Sequence, residues 1–346
     1  MKNNRAPTGL SKIPSVARVC VGLWVFLIFL VGCEPRGPQI VKRTQFVMGT
    51  LVEITVVAED NQATADAITQ AFREMQRVEK LMSRTMEGSE VRRINRVAWE
   101  RPVEVSRDLL SVVQVALEIS RLSDGAFDIT VGNLVGLWTR CWKEDRIPSD
   151  QEIAAVLRGV GYRGLDIDKT RKTLFLKKKG MELTLGGIAK GYAVDQAFRG
   201  LQDQGFENLI VNAGGDLRTG GTKLGALWVV GIQDPRDKSK IMTRMRVTDA
   251  AVATSGDYER YFMKNGVRYH HILDPRTGFP STGCRSVTVL CDELVWADSL
   301  ATAVFVLGPE RGLSLVEKLP HTETWIVDGK GQIVTSSGMW ERVRFE

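Results

Sequence analysis

The stretch "LTLGGIAKGYAVD", Leu183–Asp195, changes periodicity in its middle. Its opening residues belong to "MELTL", Met181–Leu185, which reads as a strand. Ile188, Ala189, Tyr192, Ala193, Ala197, Phe198 and Leu201 then recur at helical spacing. Gly186 and Gly187 fall at the join, so they occupy a helix N-terminus. Free N–H groups and the helix dipole favour an anion there, and missing side chains let a phosphate or metal approach the backbone. Lys190 adds positive charge one turn in. From these residues alone, a tight strand-to-helix turn with a solvated lysine fits equally well. The spacing is not that of a G-x-x-x-x-G-K-[ST] phosphate loop.

The totals bound what surrounds this stretch. A chain of 346 residues, 43% hydrophobic, can bury a sizeable core. Its net charge of +6 owes much to residues 1–32, which hold Lys2, Arg5, Lys12 and Arg18 and no acid. Beyond them 43 basic residues face 41 acidic ones, which gives no reason to invoke nucleic acid. Residues 1–32 read as a signal peptide, with a basic start and the apolar run "VCVGLWVFLIFLVG". That run is short for a membrane span. It ends in "LVGC", which resembles a bacterial lipobox with Cys33 as the acylated first residue of the mature chain. The expected organisation is a signal at 1–32, a tether at 33–45 and one domain at 46–346, lipid-anchored on the periplasmic, extracytoplasmic side of a bacterial cell membrane. Cys284 and Cys291 flank "RSVTVL". Seven extended residues span roughly 23 Å, so these two cannot form a disulfide.

The remaining chain mixes long helices with hairpin-like strands, which predicts an α+β fold rather than a regular βαβ alternation. "TLVEITVV", Thr50–Val57, alternates as a half-buried strand, and Ala67 to Met82 mark a long amphipathic helix. Ser106 is placed as an N-cap, and "SDQE", Ser149–Glu152, is a capping box. "GVGYRG", Gly159–Gly164, has the letters of a dinucleotide fingerprint but follows a helix and precedes "LDIDK". It is read as a helix C-cap and turn. A helix near Trp296–Leu307 and a strand pair near Thr322–Thr335 close the chain.

Several stretches could carry chemistry. "NAGGD", Asn212–Asp216, sets paired glycines after an apolar strand, and "VATSGDYER" offers Thr254, Ser255 and Gly256 at a strand end. "HILDPRTG", His271–Gly278, ends a strand in an Asp-Pro turn. The three histidines are His270, His271 and His321, and strand neighbours such as His270 and His271 face opposite ways. Taken singly, such stretches are most often ordinary turn chemistry, and a satisfied structural histidine is the default for His270 or His271. Asp298 and Thr302 stand i, i+4 on the otherwise apolar "WADSLATAVFVLG". Hard oxygens on one helix face suit Mg²⁺, while a capping aspartate and a back-bonded threonine fit the same spacing.

"FVMGT", "SEVRRIN", "FDITVGNLVGLW", "LGGIAKGYAVD", "NAGGD", "VATSGDY", "HILDPRTG" and "ADSLATA" occur in this order. The ordered set resembles the ApbE family of FAD:protein FMN transferases, from about Phe46 to the C-terminus. The resemblance implies a two-lobed α+β body with FAD between the lobes and Mg²⁺ on its pyrophosphate. A threonine or serine hydroxyl of an acceptor protein attacks the FMN phosphorus and AMP leaves. Met48, Ser83, Ala126, Phe127, Asp128, Thr184, Lys190 and Ile272 are implied in FAD binding. Gly187, Asp298, Ala301 and Thr302 are implied as metal ligands, and His271 as the general base. Thr184 stands where the family often has aspartate, and Thr85 where an aromatic residue is common. The implied acceptor is a membrane redox subunit of the Rnf or Na⁺-pumping quinone reductase kind. An FAD pyrophosphatase or a non-catalytic flavin-binding lipoprotein are the alternatives.

Overall fold

Eight separate stretches pair side by side to build the central sheet. In spatial order its strands are Gln39–Val47, Thr50–Ala58, Leu209–Ala213, Asp216–Gly220, Ala251–Gly256, Cys284–Cys291, Glu323–Asp328 and Ile333–Thr335. The spatial order is the chain order, and every neighbouring pair is antiparallel. The sheet is thus a meander, and its helices and small hairpins are insertions between consecutive strands. The computed structural model describes residues 37–342, 344 and 345. The expected signal at 1–32 and the acylation site Cys33 lie outside the described residues.

The period of two separates two cores. Val52, Ile54, Val56, Val211, Ala253, Val287 and Val289 face the helices Gln62–Met82, Ala189–Gln202 and Leu294–Leu307. Leu217, Val252, Leu290 and Trp325 face the other way, where the hairpin of Trp228–Gln233 and Ile241–Val247 covers them. A third cluster of Leu134, Leu137, Trp138, Ile153 and Leu273 holds the "HILDPRTG" loop, and Trp138 Nε1 donates to the Gly278 carbonyl at 2.7 Å.

The local signals in the sequence form as expected. Ser106 caps Arg107–Leu122 through Leu109 N at 3.2 Å. Ser149 and Glu152 complete a reciprocal capping box before Asp150–Leu157. "GVGYRG" lies between that helix and the strand Leu165–Asp168, with a short 3₁₀ turn at Tyr162–Gly164. Cys284 and Cys291 stand at opposite ends of one strand.

Two expectations need correction. The domain begins at Gln39, not at Phe46. Residues 39–45 pair in register with Val52–Ala58, and Val41 is buried in the core, so they are an edge strand rather than a tether. "MELTL" is extended but is not a ladder strand. It makes one parallel bridge, between Val131 and Glu182. The Asn95 amide takes the place of a partner strand. Leu183 N donates to its Oδ1 at 2.7 Å and its Nδ2 donates to the Leu183 carbonyl at 2.9 Å.

Candidate active site

The glycine turn, the two helices behind it and three strand ends converge on one place. Gly187 is held between Phe127 and Thr302. A Cβ on it would lie 3.3 Å from the Phe127 ring and 3.4 Å from Thr302 Oγ1. Thr302 Oγ1 also lies 3.3 Å from Ser255 Oγ and 3.4 Å from the Asp298 carbonyl to which it back-bonds. Asp298 is buried one turn earlier, with Ala301, also buried, beside Thr302. Asp298 does not cap its own helix. Its Oδ2 accepts from Gly191 N, in the first turn of the Ala189–Gln202 helix, at 2.9 Å.

Electrostatics tighten this arrangement. Lys190 Nζ is ion-paired with the buried Asp216, whose other oxygen accepts from Thr254 N at 2.9 Å. Burial alone would lower the Lys190 pKa, but the charges of Asp216 and Asp298 outweigh it and hold the ammonium above its ordinary range. Asp298 is pushed well above the usual carboxylate range by burial, with Asp216 adding to the shift and Lys190 opposing it. Both carboxylates act on the one lysine, and a bound cation would favour the ionised form of Asp298.

The two adjacent histidines have separate environments. His270 is buried, its Nε2 2.7 Å from the Ser281 carbonyl and its Nδ1 accepting from Ile272 N at 3.2 Å. These partners fix the Nε2–H tautomer and occupy both nitrogens. His271 presents an exposed side chain, while its backbone N–H donates to the Arg260 carbonyl at 3.0 Å. Protein packed around the ring, then the charges of Arg260, His270 and Lys190, push its pKa down to about 4. The imidazole is therefore neutral at pH 7.

The remaining expected residues take varied places. Met48 occupies the turn between the first two sheet strands at φ +55°, beside "NAGGD", where Gly214 N donates to the Leu51 carbonyl at 3.1 Å. Ala126 and Phe127 are buried, and Ile272 packs behind His270. Ser83 ends the Gln62–Met82 helix, and its hydroxyl accepts from Thr85 N and Met86 N at 3.2 and 3.1 Å. Asp128 is fully engaged by protein. One oxygen takes Thr130 N and Oγ1 at 2.7 and 2.6 Å, and the other takes Tyr162 N at 2.7 Å. Its carboxylate therefore holds the Ala126–Asp128 loop. Thr184 is half-buried and anchored by its N–H to the Ile129 carbonyl at 2.8 Å. Asp216 belongs to the cluster although the sequence reading attached no role to it. Its signal was the "GGD" turn ending an apolar strand.

No cage of three His, Cys, Asp or Glu side chains occurs among the described residues. A cation here would meet one carboxylate, neutral hydroxyls and the backbone at Gly187. That hard-oxygen set fits Mg²⁺, which keeps part of its water and takes few carboxylates.

A helix-backed antiparallel sheet, with hard oxygens, a lysine and a glycine-lined helix start gathered at one place, defines an α+β protein. The chain belongs to the ApbE family, whose model matches residues 48–326. It is 37% identical over 297 residues to an FAD:protein FMN transferase of Vibrio cholerae, covering 84% of this chain and 88% of that one. It is 32% identical over 344 residues to an FAD:protein FMN transferase of Treponema pallidum, covering 94% and 95%. The crystal structure of the ApbE protein of Thermotoga maritima superposes with a TM-score of 0.82 at 37% identity, over 88% of this chain and 100% of that one. The family and fold class expected from the ordered motifs are therefore borne out.

Proposed function

We propose that this protein is an FAD:protein FMN transferase that moves FMN from FAD to a threonine or serine hydroxyl of an acceptor protein. The observation that carries the reading is the meeting of Gly187, Thr302, Asp298, Lys190 and Asp216 in one cluster. In the reaction the acceptor oxygen forms a bond to the FMN phosphorus. The bond from that phosphorus to the bridging oxygen breaks, and AMP leaves with that oxygen. His271, neutral at pH 7, takes the proton of the attacking hydroxyl. Lys190 would offset pyrophosphate charge, while the neighbouring helix-start N–H groups of Ala189 and Gly191 are engaged by the Leu185 carbonyl and Asp298.

Mg²⁺ would be held by Asp298, Thr302 and the carbonyls of Gly187 and Ala301, and would supply charge stabilisation on the phosphoryl oxygens. Phe127 packs against one side of the glycine turn. The acceptor is proposed to be a membrane redox subunit. Acylation at Cys33 would keep the enzyme on the same extracytoplasmic membrane face.

The test uses residues 34–346 with FAD, Mg²⁺ and a candidate acceptor. The expected result is flavin fluorescence on the denatured acceptor band, matched by released AMP. AMP without protein-bound fluorescence makes the protein an FAD pyrophosphatase, and bound FAD without AMP makes it a flavin carrier.

A further inference from the structure

The two helices that meet at the site each lack a side-chain cap of their own. Ile188 begins Ala189–Gln202 and Glu293 begins Leu294–Leu307, and neither side chain bonds its own helix. Each helix is capped instead by a carboxylate from the other. Asp298 accepts from Gly191 N at 2.9 Å. Asp195 accepts from Leu294 N at 3.0 Å through Oδ1 and from Val295 N at 2.9 Å through Oδ2. The exchange has a matched spacing. Asp195 lies four residues beyond Gly191, and Asp298 four residues beyond Leu294. It requires close contact, and a Cβ on Gly191 would overlap the Leu294 carbonyl oxygen. Arg218 completes it from the sheet. Its Nη1 donates to Asp195 Oδ1 at 2.6 Å, and its guanidinium stacks on Phe198 at 4.7 Å.

We propose that Asp195, held by Arg218, is a positioning residue that sets the metal-binding carboxylate Asp298 through this reciprocal capping. Asp195 is fully buried and reaches Asp298 in two ways, through the helix it caps and through its own charge, which opposes ionisation of Asp298. It fixes the first turn of Leu294–Leu307, one turn before Asp298, against the turn that carries Lys190 and Gly191. With Asp298 Oδ2 committed to Gly191 N, Oδ1 is the oxygen left for a cation. Loss of the Asp195 cap frees the first turn, and Asp298 and Lys190 lose their fixed separation. The inference rests on the proposed metal role of Asp298.

The test is Asp195→Asn, which keeps the shape but replaces one acceptor oxygen with a donor facing an N–H group or Arg218. Mn²⁺ binding to the protein with FAD is read by electron paramagnetic resonance, beside FAD binding without metal and thermal unfolding. Removing a partner that orients a metal ligand typically costs about 10–100-fold in metal affinity. The expected result is Mn²⁺ affinity weakened at least about tenfold, with metal-free FAD affinity unchanged. Arg218→Met leaves both N–H bonds to Asp195 intact, so it supplies a milder variant in case Asp195→Asn does not fold. It should shift Mn²⁺ affinity in the same direction. A lower unfolding temperature with wild-type Mn²⁺ affinity in the folded variants would make Asp195 a stabilising cap and overturn the inference. If the wild type with FAD binds no Mn²⁺, the metal reading fails first and takes this one with it. Wild-type binding with unchanged affinity in the variants sinks the inference alone.

Discussion

At the scale of single residues, the two histidines give the clearest contrast. His271 is exposed and neutral at pH 7, and His270 has both ring nitrogens occupied. His271→Ala should lower transfer by about 10²–10⁴. His270→Ala should lower thermal stability while turnover per folded molecule stays near wild type. A large loss in the second variant with little in the first would reverse the roles. The pH dependence follows from the downward shift. Arg260, Lys190 and His270 all disfavour the imidazolium, so the base stays competent well below pH 6.5 and is lost as pH falls through about 4. At saturating Mg²⁺, which would keep Asp298 ionised, a profile of kcat/KM should therefore show an acid limb below the ordinary histidine range, absent from the residual activity of His271→Ala.

Asp298 can be separated from its capping duty by an isosteric change. Asp298→Asn retains an oxygen that can accept from Gly191 N but gives up the charge. Metal stabilisation of a phosphoryl transition state is worth several kcal/mol, so turnover should fall at least about a hundredfold. Thr302→Ala should cost less, because water can replace a neutral hydroxyl. The dependence of turnover on Mg²⁺ concentration in Asp298→Asn decides this, and a wild-type curve would refute the metal role. The sequence displayed Asp298 and Thr302 through their i, i+4 spacing on an apolar helix. It displayed Asp216 only as the end of "NAGGD" and not its pairing with Lys190, because the two meet only after two strands and a helix fold together. Asp128 was visible as part of a motif, yet its saturated hydrogen bonds appear only when Thr130 and Tyr162 come to it.

At the scale of elements, local signals were legible and long-range substitutes for them were not. Ser106, Ser149 and Glu152 announce their helices because a cap acts within four residues. The Ala189–Gln202 and Leu294–Leu307 helices exchange caps across about a hundred positions of chain, and no local window contains that information. The same limit explains "MELTL". Its composition is that of a strand, but its partner is the amide of Asn95. Gly191 can be tested as an element-scale residue. Gly191→Ala places a methyl group against the Leu294 carbonyl, and helix propensity cannot offset that overlap because both helices are packed in the core. Overpacking of this kind typically costs about 1–3 kcal/mol. Chemical denaturation should show a loss in that range, whereas Gly200→Ala, with open space at its Cβ, should be neutral or stabilising. Equal stability of the two variants would contradict the close helix contact.

At the scale of the whole molecule, the edge of the sheet sets where the folded body begins. Gln39–Val47 forms nine register pairs with Thr50–Ala58, and Val41 and Val47 are buried in the helix-side core. If Cys33 carries the proposed lipid, only residues 33–38 separate membrane from body, at most ~20 Å of extended chain. Truncation distinguishes an edge strand from a tether. A protein of residues 37–346 keeps the whole strand, and one of residues 46–346 loses most of it. Removal exposes the outer edge of Thr50–Ala58, whose N–H and C=O groups then lack partners and can pair with another chain. It also uncovers the core around Val41 and loosens the turn at Met48–Gly49 that adjoins "NAGGD". The longer protein should unfold cooperatively and remain monomeric. The shorter should unfold at a lower temperature and associate, with weaker FAD binding through loss of the Met48 turn. Sedimentation and thermal unfolding of the two, measured together, decide the point. Matching behaviour would mean that residues 39–45 serve as a tether after all.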